Sequence, residues 1–364
     1  MALDFFCGAG GLTRGLKDVG IRVLAGIDND SRLRDTYERN NKPSRFVCKD
    51  VTSLDIVELR EEVGIRSSDI VVYAACTPCQ PFSTLNQRRG VDERKQLLLA
   101  FGDLVLKAPP DYIIVENVPG LHNAYGREIY SRFLEILEQT GFRHRDGSQL
   151  DASDYGVPQV RKRFIMVASR HTSISLPKPV RGPKATVRSA IADYPPPHIG
   201  IEKAKSRSAP SASIPEGPSK ASLPPNHIAR QLLDHHLELV KAIPADGGSR
   251  ADVKDESLLL DCHKRTPKLH RDVFGRMAWD APAPTLTCRC TDVYCGRFVH
   301  PEEHRGLSLR EAARLQTFSD DYEFHGTFFH AATQIGNAVP VLLASRLGRT
   351  VLAAERRRRN EGVT

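Results

Sequence analysis

Short apolar runs recur through the first half of the chain, at residues 3–6, 23–27, 46–47, 70–75, 112–115 and 164–168, with amphipathic stretches between them. Runs of that length read as buried strands, and the helical periodicity between them reads as amphipathic helices. Over 128–137, for instance, Ile129, Phe133, Ile136 and Leu137 share one helical face, and Gly141 supplies a stop. Such alternation predicts an α/β fold, a mixed but mostly parallel sheet with helices on both faces. The pattern lapses between about 177 and 225, where Pro, Ser, Lys and Ala dominate and few residues suit a core, so this stretch reads as irregular loop. Helical periodicity returns at 228–243, 310–318 and 340–352, the last carrying Val341, Leu342, Leu347 and Val351. Four consecutive arginines at 356–359 read as a solvated helix end.

A chain of 364 residues with 40% hydrophobic residues can bury one large core and a smaller domain. The formal charge of +8 points to a polyanionic partner, since Lys and Arg gain affinity by displacing counterions from phosphates. Eight unevenly spaced cysteines do not resemble a secreted disulfide framework, and no charged-then-apolar segment opens the chain; the expectation is reduced thiols and a cytoplasmic protein. No apolar run approaches the roughly twenty residues of a membrane span.

Four loci carry candidate chemistry. The first is the strand-to-turn segment Leu3-Asp4-Phe5-Phe6-Cys7-Gly8-Ala9-Gly10-Gly11, with Asp28 closing the next strand. Glycines permit close approach of a ligand, and an acidic residue about twenty positions on can bind ribose hydroxyls. The third glycine of the dinucleotide fingerprint is missing, which favours an adenosine-type ligand without phosphates; a plain tight turn explains the segment equally well. The second is Cys76-Thr77-Pro78-Cys79-Gln80-Pro81-Phe82-Ser83, in which prolines stiffen the backbone around Cys79. A rigid cysteine at a strand end suits a nucleophile. The competing readings are a redox pair, Cys76 with Cys79, or half a zinc site completed by Cys288, Cys290 and Cys295, whose surroundings read as strand and hairpin. We expect no metal. The third locus is Tyr112-Ile113-Ile114-Val115-Glu116-Asn117, where an apolar strand ends in a carboxylate; a helix cap or a partner for a basic loop is the ordinary explanation, and an acid beside Cys79 the functional one. The fourth places Gln159, Arg161 and Arg163 on one face of an extended segment, suited to phosphate or a polarised carbonyl, or to a solvated strand edge.

Taken in this order, and with Leu309-Arg310-Glu311-Ala312-Ala313-Arg314-Leu315-Gln316, Pro284-Thr285-Leu286-Thr287 and Gln334-Ile335-Gly336-Asn337-Ala338-Val339-Pro340 further on, these loci resemble the DNA cytosine-5 methyltransferase family of bacterial and phage type. The similarity covers about 1–170 and 273–345. It implies a Rossmann-like S-adenosylmethionine-dependent methyltransferase domain with a smaller target-recognition domain: 1–180 as the first part of the catalytic domain, 181–327 as the recognition domain and hinge, and 328–364 as the segment returning to the catalytic domain. It implies that Phe6, Gly8, Gly10 and Gly11 line the S-adenosylmethionine site, with Asp28 at the ribose, Asp50 near the adenine and Asn337 closing the pocket. Cys79, Glu116, Arg161 and Arg163 become catalytic, and Gln80, Ser83 and Gln159 substrate-binding. Asp28 stands where Glu is common in the family, and Thr77 where Pro is usual.

The implied reaction rationalises the pairing. A thiolate adding at cytosine C6 makes C5 nucleophilic, while an acid at N3 stabilises the developing charge. The target base lies inside a duplex and must be flipped out. Double-stranded DNA is the implied partner of a monomeric enzyme, acting alone or beside a cognate restriction endonuclease. His263-Lys264-Arg265 and His270-Arg271 are candidate contacts to phosphates or bases. A tRNA-methylating relative would carry a Cys-Phe-Thr signature that is absent here. A silent DNA-binding regulator would not need the Cys79 and Glu116 set, and an oxidoreductase would leave it unexplained.

Overall fold

The computed structural model describes residues 1–77, 97–122, 126–201, 223–265 and 271–361. They form two compact units, the first comprising Met1–Tyr155, Lys162–Val180 and Val339–Thr364, the second Gly156–Arg161 and Arg181–Ala338. Residues 156–161 and 328–338 thus group with the second unit.

In the first unit, β1 (Ala2–Phe5) is followed by α1 (Gly11–Asp18), β2 (Val23–Asp28), α2 (Arg34–Asn41), β3 (Arg45–Cys48), α3 (Ile56–Glu62), β4 (Val72–Cys76), α4 (Leu97–Lys107), β5 (Tyr112–Asn117), α5 (Arg127–Gln139), β6 (His144–Asp151) and β7 (Lys162–Ser169). The strands make one sheet in the order β3-β2-β1-β4-β5-β7-β6. The first five run parallel, and β7 joins antiparallel to both β5 and β6. Every strand predicted from the apolar runs of the first half is present within a few residues. Strand β6 was not legible: its residues, HRDGSQLD, carry no apolar alternation, and as a largely exposed edge strand it needs none.

The core lies along the central strands, which are buried on both faces and so read as continuous apolar runs. Phe5 packs edge-on against Tyr73 and Phe101, with ring centroids 5.1 and 5.3 Å apart, and burial of this chain of rings fixes α4 against the sheet.

The second unit is irregular, with α6 (Val187–Ile191), a two-stranded parallel sheet of β8 (His198–Ile201) and β9 (Ile228–Arg230), α7 (Asp234–Ala242), α8 (Asp261–Arg265), α9 (Leu309–Leu315) and α10 (Phe328–Asn337). The single helix expected over 228–243 is instead β9 followed by α7: pairing of Ile228 with β8 captures the first residues, and Leu233 is extended before the helix begins. Residues 288–291 form turns rather than strand, and the Cys290 thiol is buried, donating to the carbonyl of Ala332. Buried guanidinium groups stand in for regular structure. Arg276 donates to the carbonyls of Ile243, Val240, His300 and Glu303 at 2.7–3.1 Å, and Arg310 to those of Pro225, Ser319 and Tyr322. Each satisfies backbone acceptors that a helix or ladder would otherwise pair.

The chain returns to the first unit with α11 (Val341–Glu361), which includes the arginine run 356–359; Arg358 and Arg359 pair with Glu355. Helix α11 lies close against α1, where the Ser345 hydroxyl donates to the Gly15 carbonyl at 3.1 Å.

Candidate active site

Strand order reverses between β1 and β4, and in an open α/β sheet ligands bind beyond the carboxyl ends of the strands at such a point. The first chemical locus and the opening residues of the second, Cys76 and Thr77, stand at this switch point. After β1 the backbone turns sharply into α1, with Phe6, Gly8 and Gly10 at φ of 57°, 54° and 89°. A Cβ built on Gly8 would meet nothing within 4 Å, so glycine serves the left-handed turn there and the space beside it is open. Gly11 begins α1 and is buried; Phe6 is half-buried.

At the end of β2 the Asp28 carboxylate accepts from the Gly8 amide at 3.0 Å and from the Asp30 amide at 3.1 Å. Burial raises its pKa against those two bonds. A carboxylate offers about four acceptor positions, so capacity for hydroxyl groups remains. Asp50 accepts from Thr52 and from the Asn29 amide, at 3.2 Å for the latter, and the Thr52 bonds hold its carboxyl below the usual range.

Strands β4 and β5 end side by side, with Cys76 in register opposite Glu116. The Cys76 thiol donates to Glu116 Oε2 at 2.8 Å, and Arg163 from β7 meets Oε1 with Nε at 3.0 Å. One residue on, the Asn117 side-chain amide donates to the Thr77 hydroxyl at 2.6 Å. Two adjacent cross-strand bonds therefore latch the strand tips, and Thr77, which departs from the usual Pro, supplies one of them. Glu116 is 4% exposed, and this buried carboxylate is compensated by the guanidinium. Cys79, Gln80 and Ser83 lie outside the described residues.

The structure brings Glu116 and Arg163 together in the first unit; Gln159, Arg161 and Asn337 belong to the second. There Gln159 is fully buried, its amide donating to Gln316 Oε1 at 3.1 Å while its carbonyl accepts from the Leu286 amide at 3.0 Å. Arg161 Nη1 donates to the carbonyls of Leu286 and Gly336 at 2.9 and 3.1 Å. These bonds tie the Pro284–Thr287 and Gly336 segments together. Asn337 is exposed at the end of α10. Of the basic cluster, His263 is turned inward, its ring edge-on to Phe274 at 5.6 Å, whereas Lys264, Arg265 and Arg271 are exposed; His270 lies outside the described residues.

Sequence reasoning passed over Asp4. It is fully buried in β1, accepts from the Thr13 hydroxyl at 2.6 Å, and Thr13 in turn meets the Tyr37 hydroxyl at 2.8 Å. Burial pushes its pKa up to about 7. The signal was available, as the one charged residue inside the apolar run at 3–6.

The assembled edge offers an open space over a glycine turn, a carboxylate with acceptor capacity to spare at the end of β2 and a buried, guanidinium-paired carboxyl at the end of β5. The family described as C-5 cytosine-specific DNA methylase matches residues 1–353. Type II methylase M.HgiDII of Herpetosiphon aurantiacus is 37% identical over 357 residues, covering 96% of this chain and 94% of that protein. Type II methyltransferase M.XorII of Xanthomonas oryzae pv. oryzae is 30% identical over 378 residues, covering 98% and 86%. A crystal structure described as a prophage-encoded DNA modification methyltransferase of E. coli shares the fold, with a TM-score of 0.72 at 22% identity over 98% of this chain and 99% of that one.

Proposed function

The chain belongs to the C-5 cytosine-specific DNA methylase family, and on that footing we propose that it methylates cytosine C5 within a short duplex DNA sequence through a covalent Cys79 adduct, as the modification partner of a restriction endonuclease. The observation that carries the mechanism is the Glu116 carboxyl, buried at the tip of β5 between Arg163 and the strand that leads directly to Cys79.

The turn at Phe6, Gly8, Gly10 and Gly11, with its open space, and the Asp28 carboxylate fit an adenosine-type cofactor, with Asp50 at its adenine end. When bound, S-adenosylmethionine supplies an electrophilic methyl group. Cys79, as thiolate, adds to C6 of a cytosine flipped from the duplex. Glu116 delivers a hydrogen bond and proton to N3, so that the negative charge entering the ring is neutralised as it forms, and Arg163 fixes the orientation of the carboxyl. After transfer, a base such as water takes the C5 proton, N3 returns its proton to Glu116, and departure of the Cys79 thiolate restores the aromatic ring. Gln159, through both ends of its side-chain amide, and Arg161, through Nη1, shape the second unit, which reads the DNA sequence. The enzyme works as a monomer in the cytoplasm, where its DNA lies.

The test is transfer of tritium from labelled S-adenosylmethionine to duplex DNA, followed by nucleoside analysis. Label in 5-methylcytosine is expected. Label in N4-methylcytosine or in adenine, or methylation of tRNA with duplex DNA untouched, contradicts the proposal.

A further inference from the structure

The thiol of Cys76 has no part in the scheme above, although it lies closer to the acid than any other side chain of β4. Register puts its Cα directly opposite that of Glu116, and its thiol donates to Oε2 at 2.8 Å. Oε1 belongs to Arg163. Among the described residues these two, Cys76 from β4 and Arg163 from β7, are the titratable or charged side chains bonded to the carboxyl.

Resting on the catalytic reading of Glu116, we propose that Cys76 is a positioning residue: its thiol holds the Oε2 face of the carboxyl in place until the N3 edge of the target cytosine replaces it. Three features argue for this. The carboxyl has two faces, and with Arg163 on one, only the Oε2 face is left for a substrate. A thiol is a weak donor, so it fixes orientation yet is readily displaced, which a second guanidinium would not be. The neighbouring Asn117 to Thr77 bond locks the two strand tips in register, so the donor is held at a fixed distance and does not drift with the strand end.

The role has a signature that packing alone lacks. Because the thiol only orients the carboxyl, its loss should slow the chemical step without changing the binding of the cofactor. In Cys76→Ala kcat at neutral pH should fall several-fold, with KM for S-adenosylmethionine unchanged. Cys76→Ser keeps a donor of similar size and is expected to restore most of the wild-type kcat.

Both variants are measured beside wild type and Glu116→Gln on the same duplex substrate, after thermal unfolding has shown that they fold. If kcat of Cys76→Ala equals that of wild type, if KM for S-adenosylmethionine rises along with the fall in kcat, or if Cys76→Ser is as slow as Cys76→Ala, the positioning role is overturned while the reading of Glu116 stands. If Glu116→Gln is as active as wild type, that reading fails and the role of Cys76 with it.

Discussion

Glu116 shows how far a single residue can be read from sequence. A carboxylate closing the apolar run 112–115 must be either exposed or paired, and the structure pairs it with Arg163. Its partner was already marked by the alternation through 159–163, but the same alternation grouped Arg161 and Gln159 with it, and the bonds of Arg161 Nη1 and of the Gln159 amide to Gln316 and Leu286 lie in the second unit. Spacing identifies which face a residue takes, not which neighbour fills that face. Replacing the acid tests the pairing: Glu116→Gln preserves shape and one hydrogen bond but cannot release a proton, so kcat should fall by about 10²–10⁴ with folding intact. A fall below tenfold in steady-state methylation would remove Glu116 from the chemistry. Asp4 makes a separate prediction. Its folded pKa, about 7, lies above the unfolded value near 3.8. The folded state therefore holds the proton more tightly, and stability is greatest below the unfolded pKa, falls as pH rises through the window from about 4 to 7, and is flat beyond. Asp4→Asn cannot ionise and keeps an acceptor for Thr13, so its stability relative to wild type should grow across that window, by at most about 4 kcal/mol. Denaturant titrations of both proteins at pH 4.5 and pH 8 check this; a difference independent of pH contradicts it.

Elements with strong apolar periodicity were legible, and those defined by pairing were not. The central strands and the helix at 128–137 follow from their own residues, whereas β6 and β9 exist because a neighbour supplies the ladder. Glycines add a second kind of information that periodicity lacks. Gly15 is an ordinary helical residue by sequence, yet a Cβ there would lie 2.4 Å from Ala344 Cβ and 2.4 Å from the Val341 carbonyl oxygen. Its absence lets α1 and α11 approach closely, and α11 is how the C-terminal segment is tied to the first unit. Gly15→Ala should therefore destabilise that unit by about 1–3 kcal/mol through overpacking, despite the better helix propensity of alanine. Thermal unfolding is the measurement, and an unchanged or raised midpoint would show that the helices can part at no cost.

Across the whole molecule, net charge and motif order pointed to a nucleic-acid enzyme, but the second unit stayed opaque. Arginines of the second unit read naturally as phosphate contacts, whereas Arg276 and Arg310 are buried among backbone carbonyls, and Arg305 is buried in a pair with Glu311. Burial lowers the pKa of Arg276 and Arg310, yet their hydrogen bonds to carbonyls keep them positive within the fold. Part of the +8 thus lies inside the protein and is not available to DNA. What was legible were the loci on the edge of the sheet, because chemistry restricts which residues may stand there. Their joint meaning rests on Cys79. Purified protein incubated with tritiated S-adenosylmethionine and duplex DNA containing 5-fluorocytosine cannot complete the final elimination, since fluorine at C5 replaces the departing proton. Wild type should yield a labelled protein–DNA adduct that survives denaturation, and Cys79→Ser should yield none; an adduct of equal yield in Cys79→Ser, or methylation of ordinary duplex with no adduct in wild type, would contradict covalent catalysis by Cys79.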